Sequence, residues 1–275
     1  MPELPEVEIV VQRLRESLRG RALTRAQLLR PNLAPDNTPR QFALWLKGAR
    51  VEDVTRRGKF ILTHLSNNRT LITHLRMTGR FYLREISSEN TPYARAVFWL
   101  DDGKKLVFDD QRQFGIMAVV GTSQLDQLKY LKKLAPEPLS EEFSADYLYL
   151  TLRRSAQQIK LALLDQRKVA GLGNIYASEA LHRANVNPRL PSNRLSRPRS
   201  ALLHREIVAV LEEAIANKGV FDRDSGNIDA SYGRYESVVR VYEREGQPCL
   251  TCGTPIRRII QSARSTYFCH KCQRR

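Results

Sequence analysis

Two Cys-x-x-Cys pairs near the C-terminus constrain the fold of this chain more than any other feature. Cys249 and Cys252 form the first pair, Cys269 and Cys272 form the second, and 16 residues separate the pairs. Each pair can turn two thiolates toward one tetrahedral ion, and the intervening length is sufficient for a hairpin. The spacing therefore predicts a four-cysteine zinc ribbon with one structural Zn²⁺. The alternative is four unrelated thiols, and His270 is not needed as a ligand because four sulfurs fill the shell.

The charge balance indicates a polyanionic partner. The 275 residues include 45 Lys plus Arg against 29 Asp plus Glu, which gives a formal net charge of +16. Residues 240–275 alone carry eight basic residues against two glutamates. A field of this sign attracts nucleic acid and accelerates its capture. The alternative is a basic protein, ribosome-associated or merely soluble, without this role.

Several absences in the sequence bear on location. The sequence contains no run of about 18 apolar residues, the length that a membrane-spanning helix needs. The first eight residues, MPELPEVE, include no apolar signal core. Clustered cysteines fit a metal site in a reducing compartment better than a disulfide framework. We therefore expect a cytoplasmic protein without a membrane contact.

Hydrophobic periodicity predicts that the chain is an α+β multidomain protein. Apolar residues at helical spacing predict a helix over 7–18, ending at Gly20. Short β-branched and aromatic runs at 60–65, 71–75, 96–100, 106–108 and 116–120 predict an all-β sandwich or barrel with this helix against it. Further helices are expected from a cap at Ser140 to Arg153, around 156–163, and from 203 to near Gly219, with a loop over 185–200. The predicted domains are residues 1–135, 136–235 and 236–275.

Several motifs occur in one order along the chain: MPELPEVE at 1–8, RRGK at 56–59, HLRMTG at 74–79, DQRQFG at 110–115 and IKLALLDQRKVAGLGNIYASEAL at 159–181. With the cysteine ribbon, they resemble the bacterial formamidopyrimidine-DNA glycosylase family, relatives of endonuclease VIII. The resemblance covers essentially the whole chain. It implies an N-terminal β-sandwich with a flanking helix, a helix-two-turn-helix domain and a zinc ribbon. It also implies a base excision repair enzyme that binds damaged double-stranded DNA, associated with the nucleoid, without an organic cofactor.

The same resemblance implies the catalytic residues. Removal of Met1 would leave Pro2 as a free secondary amine, and this amine is the implied nucleophile toward the sugar C1′. Glu3 is the implied acid for the sugar ring oxygen, and Glu6 lines the same pocket. Lys59 is the implied proton donor in the first elimination, and Arg264 serves the second.

DNA-contacting residues follow from the resemblance as well. Met77, Arg112 and Phe114 correspond to residues that fill the gap left by an extruded nucleotide, although Met77 and Phe114 also fit ordinary β-core packing. Asn174 is expected at a helix start, as a phosphate contact, a cap, or both. The further implied contacts are His74, Tyr93 and Lys160, and a lone lysine also fits a solvated helix face.

Three departures from the family pattern concern substrate choice. Gln113 stands where a second basic residue is usual, and Tyr93 aligns with a DNA-contacting histidine. Residues 218–242, KGVFDRDSGNIDASYGRYESVVRVY, differ in the loop that family members use to judge the extruded base. We expect a monomer that removes oxidised purines. The alternatives are an oxidised-pyrimidine enzyme like endonuclease VIII and an inert DNA-binding scaffold.

Overall fold

The computed structural model describes residues 2–217, 228 and 239–274. The described residues divide into two compact units, one formed by residues 2–132 with Ile228 and the other by residues 133–217 with 239–274. Among these residues, no helix combines the length and apolar character that a bilayer crossing requires. The segment 218–242, where the sequence departs from the family, lies largely outside the described residues.

Helix α1 (Leu4–Leu18) opens the first unit. Val7, Val11, Leu14 and Leu18 are buried on one face, as their spacing predicts. Pro5 lies in the first turn, where its missing N–H costs no helical hydrogen bond. The helix therefore starts three residues earlier than the apolar pattern alone indicates.

Two four-stranded antiparallel sheets form the sandwich of the first unit. The elements after α1 are β1 (Leu23–Leu28), α2 (Pro39–Leu46), β2 (Val51–Arg57), β3 (Phe60–Leu65), β4 (Arg69–His74), β5 (Gly79–Glu85), β6 (Ala94–Leu100), β7 (Lys104–Asp110) and β8 (Ile116–Gly121). The strand orders of the two sheets are β1-β6-β7-β5 and β2-β3-β4-β8. One core cluster contains apolar side chains from both sheets and from helices α1 and α2, including Phe42, Ile61 and Phe108. The fold class predicted from the sequence is confirmed.

Helices dominate the second unit, and their boundaries correct two predictions. The helices are α3 (Ala145–Arg153), α4 (Ile159–Leu164), α5 (Asn174–Arg183) and α6 (Arg197–Ala216). Ser144, not Ser140, caps α3, because its hydroxyl accepts the N–H of Tyr147 at 3.1 Å. Helix α6 begins at Arg197, inside the predicted loop, because Pro198 suits a first helical turn. It ends at Ala216, before Gly219, which lies outside the described residues.

A tight connection joins α4 to α5. The Gln166 amide donates to the carbonyls of Leu164 and Leu172 at 3.1 and 2.9 Å, and its oxygen accepts the N–H of Gly171 at 2.9 Å. Gly171 has φ +74°, a conformation that a β-carbon disfavours. This connection is the two-turn element of the helix-two-turn-helix fold.

The C-terminal ribbon is an antiparallel hairpin of β9 (Arg257–Gln261) and β10 (Arg264–Phe268). The strands follow the first cysteine pair and precede the second, as the spacing predicts. Helix α5 holds the chain where it enters the ribbon. The fully buried Glu179 carboxylate accepts the backbone N–H groups of Arg240, Val241 and Tyr242 at 2.8, 3.0 and 2.9 Å.

Candidate active site and nucleic-acid interface

The start of α1 presents the residues predicted to carry the chemistry. Pro2 and Glu3 are both buried, and Glu3 is the N-cap residue of the helix. The Glu6 carboxylate accepts the backbone N–H of Glu3 at 2.7 Å. Glu6 therefore fixes the main chain beside Pro2 and Glu3, a structural role that the sequence did not reveal.

Lys59 lies in the turn that precedes β3, and His74 is the last residue of the neighbouring strand β4. Lys59 precedes β3 after Gly58, which has φ +57°, and Phe60 pairs with His74. Both predicted residues are buried. Burial, with the charges of Arg76 and Lys59, lowers the pKa of His74 to about 3, so the imidazole is neutral at pH 7. Its Nδ1 accepts the Arg76 backbone N–H at 3.0 Å, so the ring can offer a neutral N–H but not a charge.

Two loops of the first unit bring together Met77, Arg112 and Phe114, which we call the loop cluster. The Arg112 Nη1 atom lies 3.3 Å from the Met77 sulfur, and its guanidinium lies 4.9 Å from the centre of the Phe114 ring. The side chains of Met77 and Phe114 are 41% and 52% exposed. Core packing, the alternative interpretation of these two residues, is therefore wrong.

Asp110 connects the two loops that carry this cluster. Its carboxylate accepts the Thr78 hydroxyl and, at 2.7 Å, the N–H of Gly115. The Thr78 oxygen in turn accepts the N–H of Arg112 at 3.1 Å. Asp110 is fully buried. It therefore sets the separation of the loops, although the sequence indicated only that it belongs to the DQRQFG motif.

The ring of Phe108 limits the space at Gly79 and Gly115, the two glycines that follow residues of the loop cluster in the chain. A β-carbon on Gly79 would lie 2.5 Å from the Leu75 carbonyl oxygen and 2.7 Å from the Phe108 ring. A β-carbon on Gly115 would lie 3.0 Å from the same ring and from the Asp110 carboxylate. The glycine at the start of β5 and the glycine just before β8 thus both approach the ring of Phe108.

We expect Asp110→Asn to lower the free energy of unfolding by roughly 1.5–3 kcal/mol, the usual contribution of a hydrogen bond to a charged group. An asparagine keeps one acceptor oxygen and turns an N–H₂ toward the other donor. Urea unfolding followed by circular dichroism measures the change. Asp109→Asn is the matched control, because Asp109 accepts only the Thr91 hydroxyl among the described hydrogen bonds, and an amide oxygen can keep that bond. Equal losses in the two variants would contradict this role for Asp110.

Tyr93 lies beside the end of β7. Its carbonyl accepts the N–H of Asp110 at 2.9 Å, and its own N–H donates to the Thr91 hydroxyl at 3.2 Å. The side chain is 46% exposed. The backbone thus holds Tyr93 next to the loop that carries Arg112, with its ring available to a partner.

In the second unit, Lys160 and Asn174 both contact the ribbon hairpin. The Lys160 ammonium donates to the Ser265 carbonyl at 3.0 Å and to the Thr266 hydroxyl at 2.7 Å. The Asn174 amide donates to the same carbonyl at 2.9 Å. Lys160 is fully buried, so the alternative interpretation, a lysine on a solvated helix face, is wrong. The DNA contact of Lys160 stays a prediction. Asn174 is not the helix cap either, because Gly173 occupies that position.

Arg264 lies at the first residue of β10, in the second unit. The preceding Ser262 and Ala263 have φ of +47° and +59°, which form the tight turn of the hairpin. Arg264 is exposed. The Lys160 and Asn174 contacts to the next residue, Ser265, fix the backbone from which this arginine projects.

The four predicted metal ligands lie together. The Sγ atoms of Cys249, Cys252, Cys269 and Cys272 all fall within 4.8 Å of one another. Two of the separations are 3.5 Å, between Cys252 and Cys269, and 4.0 Å, between Cys249 and Cys272. Tetrahedral Zn²⁺ with Zn–S bonds of about 2.3 Å separates its sulfurs by about 3.8 Å. The donor set therefore fits a structural metal, and His270 is exposed outside it.

Family comparisons match nearly all of the chain. The family model for the formamidopyrimidine-DNA glycosylase N-terminal domain matches residues 1–117, and the model for the H2TH domain of the same family matches residues 134–224. A third, described as a zinc finger found in FPG and IleRS, matches residues 246–275. With the loop cluster and the cysteine ribbon, these matches define a DNA-repair glycosylase with a zinc finger.

Individual proteins that are similar to this chain belong to the same family as the matching models. The formamidopyrimidine-DNA glycosylase of Desulforamulus reducens is 42% identical, over 100% of this chain and 99% of its own length. The wild-type Lactococcus lactis Fpg has been solved with DNA that contains N7-benzyl-Fapy-dG, and it superposes with a TM-score of 0.92 at 32% identity, over 100% of both chains. Another structure of that enzyme, with oxidised-pyrimidine DNA, gives 0.92 at 31% identity with the same coverage. The chain belongs to the formamidopyrimidine-DNA glycosylase family.

Proposed function

We propose that this protein is a bifunctional DNA glycosylase and abasic-site lyase that removes oxidised purines, 8-oxoguanine and formamidopyrimidines, from duplex DNA. The observation that carries the proposal is the burial of Pro2 and Glu3 side by side at the N-terminus of α1. A nucleophile and an acid are thereby held at one point of the first unit. The full-length family relationship supports the same assignment.

Pro2 is the proposed nucleophile once Met1 has been removed. An α-amine has a pKa of roughly 7.7–8.0, against about 10.4 for a lysine side chain, so part of it is neutral and nucleophilic at pH 7. Its nitrogen bonds to the sugar C1′ as the damaged base leaves. Glu3 protonates the ring oxygen, and the opened sugar becomes a cationic iminium.

A secondary amine suits the two eliminations that follow. The iminium nitrogen of proline carries no proton, so it stays cationic and accepts electrons when the neighbouring C2′ proton is removed. The 3′ phosphate leaves first and the 5′ phosphate second. We assign Lys59 as the proton donor and a phosphate contact in the first step, and Arg264 to the second step.

The loop cluster supports extrusion of the damaged nucleotide. Met77 and Phe114 offer exposed apolar side chains that limit restacking of the duplex, and Arg112 offers hydrogen bonds to the unpaired base. Tyr93 and the neutral His74 add further contacts, and Asn174 at the start of α5 adds a phosphate contact. The basic residues of the zinc ribbon then contact the phosphate backbone of the DNA.

The proposal also includes the oligomeric state, the location, the cofactors and the domain boundaries. The protein acts as a monomer on duplex DNA in the bacterial cytoplasm, with Zn²⁺ as a structural ion and no organic cofactor. The proposed domain boundaries are those expected from the sequence, at residues 135/136 and 235/236, and the second of these lies outside the described residues.

An oxidised-pyrimidine preference is the second candidate, because the Lactococcus lactis relative has been solved with DNA of that kind. Excision rates on duplexes that carry one lesion each separate the two preferences.

Borohydride trapping tests the proposed chemistry. Protein with Met1 removed, mixed with an abasic duplex and borohydride, should give a reduced covalent adduct that peptide mass spectrometry locates on Pro2. Pro2→Gly should slow base excision and adduct formation while DNA affinity is largely retained, because the change leaves the charged surface intact. An adduct on a lysine would overturn the assignment of Pro2. The absence of any adduct would instead favour an inert DNA-binding scaffold.

A further inference from the structure

His182 lies in the last turn of helix α5, next to the cysteine cluster. It is 3% exposed, and its Nε2 atom is 3.5 Å from the Sγ atom of Cys249. Its other ring nitrogen, Nδ1, is buried and has no hydrogen-bond partner among the described residues. The contact with Cys249 is therefore the only polar contact of the ring within the part of the chain that the structure describes.

The contact has the geometry of an N–H···S hydrogen bond to a metal ligand. A neutral imidazole carries one N–H, and a sulfur acceptor is reached at up to about 4 Å, a longer separation than for oxygen. Cysteine binds zinc as the thiolate, and four thiolates around Zn²⁺ leave a net charge of −2. A hydrogen-bond donor that points at one sulfur withdraws part of this negative charge. It also fixes the direction of the lone pairs of that sulfur.

We propose that His182 donates its Nε2 proton to the thiolate of Cys249 and is a positioning residue of the zinc site. The proposal rests on the assignment of the four cysteines as ligands of zinc. It adds a fifth residue, outside the ribbon and 67 positions earlier in the chain, that controls how firmly the metal is held.

The architecture of α5 supports this role. Glu179, three residues before His182, lies near it on the same helical face and holds the backbone of 240–242 through three hydrogen bonds. Val241 packs in one cluster with Cys249 and Cys269. The helix thus fixes both the entry of the ribbon and its first ligand, so the position of Cys249 is defined by α5 as well as by the metal.

Full-length His182→Phe and His182→Gln variants test the proposal. Phenylalanine keeps the ring volume without the N–H, whereas glutamine restores a side-chain donor. His204→Phe is the matched control, because His204 is a partly buried histidine of the same unit whose Nε2 contacts the Phe143 carbonyl and no cysteine. Zinc affinity is measured by competition with a chromogenic chelator. Each protein is also loaded with Co²⁺, and its sulfur-to-cobalt charge-transfer band is recorded.

We expect His182→Phe to weaken zinc affinity roughly 10–100-fold, the usual effect of removing an outer hydrogen bond to a ligand. The charge-transfer band should move to longer wavelength, because a thiolate without its donor gives up an electron more easily. Glutamine should restore part of both properties, and the control should match the unchanged protein. If His182→Phe does not fold, the proposal is supported by a His182→Gln variant that still binds zinc and keeps the charge-transfer band of the unchanged protein.

Three results would overturn the proposal. The first is an unchanged zinc affinity in His182→Phe. The second is a loss of affinity with an unmoved band, which would mean that the residue only fills space. The third is a change in the visible ligand-field bands of Co²⁺, which would mean that His182 coordinates the metal itself.

Discussion

Glu3→Gln should slow the excision of a damaged base by roughly 10²–10⁴-fold, the usual contribution of a positioned general acid. The amide keeps the size of the side chain but cannot give a proton to the sugar ring oxygen. DNA affinity should change little, because Glu3 is 3% exposed and adds almost nothing to the outer surface. Single-turnover excision on a lesion duplex, with binding measured separately, checks both statements.

The effect of Glu3→Gln on activity should depend on the substrate. An abasic sugar already exists partly as the open aldehyde, so formation of the proposed Pro2 adduct should depend less on ring protonation. We therefore expect Glu3→Gln to lose far more activity on an intact lesion than on an abasic duplex. Glu16→Gln, an exposed change on the same helix, is the control. Equal losses on both substrates would show that the variant disturbs the nucleophile and not a proton transfer.

Cys252→Ser should release the metal and unfold the ribbon. Binding of structural zinc supplies about 10–16 kcal/mol of apparent free energy in small zinc modules, and this energy is coupled to their folding. The ribbon core is small: its described cluster contains Val241, Ile256, Tyr267 and the cysteines themselves. We expect zinc content, measured by atomic emission, to fall well below one ion per chain.

DNA binding reports the consequence for function. Residues 240–275 carry a net charge of +6, so an unfolded ribbon no longer presents its basic side chains to the phosphates in an ordered arrangement. The dependence of log K on log salt should become shallower by about 0.9 for each phosphate that the protein ceases to neutralise. His270→Ala, an exposed change between two cysteines, should preserve zinc and affinity. Full affinity of the metal-free protein would refute a DNA-binding role for the ribbon.

Strongly patterned segments were predictable from the sequence. The apolar residues of α1 repeat at helical spacing, and β3 coincides with the predicted run at 60–65. The dipeptide Asp102-Gly103 is typical of a tight hairpin turn, and it lies between β6 and β7, where Gly103 has φ +81°. The cysteine spacing predicted the metal cluster, because local chemistry alone decides which residues can bind one ion.

Strands with mixed composition were not predictable. The sequence VEDVTRR of β2 has four charged residues, and GRFYLRE of β5 has three. The charged residues interrupt both runs, so neither shows the continuous apolar or β-branched stretch of the strands that were predicted, and their pairing is decided by neighbouring strands. Helix α2 was missed because its eight residues show only a short apolar pattern.

Contacts between distant residues explain the rest of the site. Asp110 with Thr78, Glu179 with the backbone of 240–242, and Lys160 with Ser265 join residues 32 to 105 positions apart. No periodicity or spacing encodes such pairs. The burial of Lys160 shows this limit of sequence-based prediction. A lysine in an apolar helix segment does not indicate which distant carbonyl accepts its hydrogen bond.

The shared contact of Gly79 and Gly115 with Phe108 limits how sequences of this fold can diverge. A larger residue at Gly115 requires a smaller residue at 108, and the smaller residue opens a void beside Gly79. No change at 108 makes room for a larger residue at Gly79, because its β-carbon would still lie 2.5 Å from the Leu75 carbonyl oxygen. Natural variants should therefore keep Gly79, whereas positions 108 and 115 should change together or not at all.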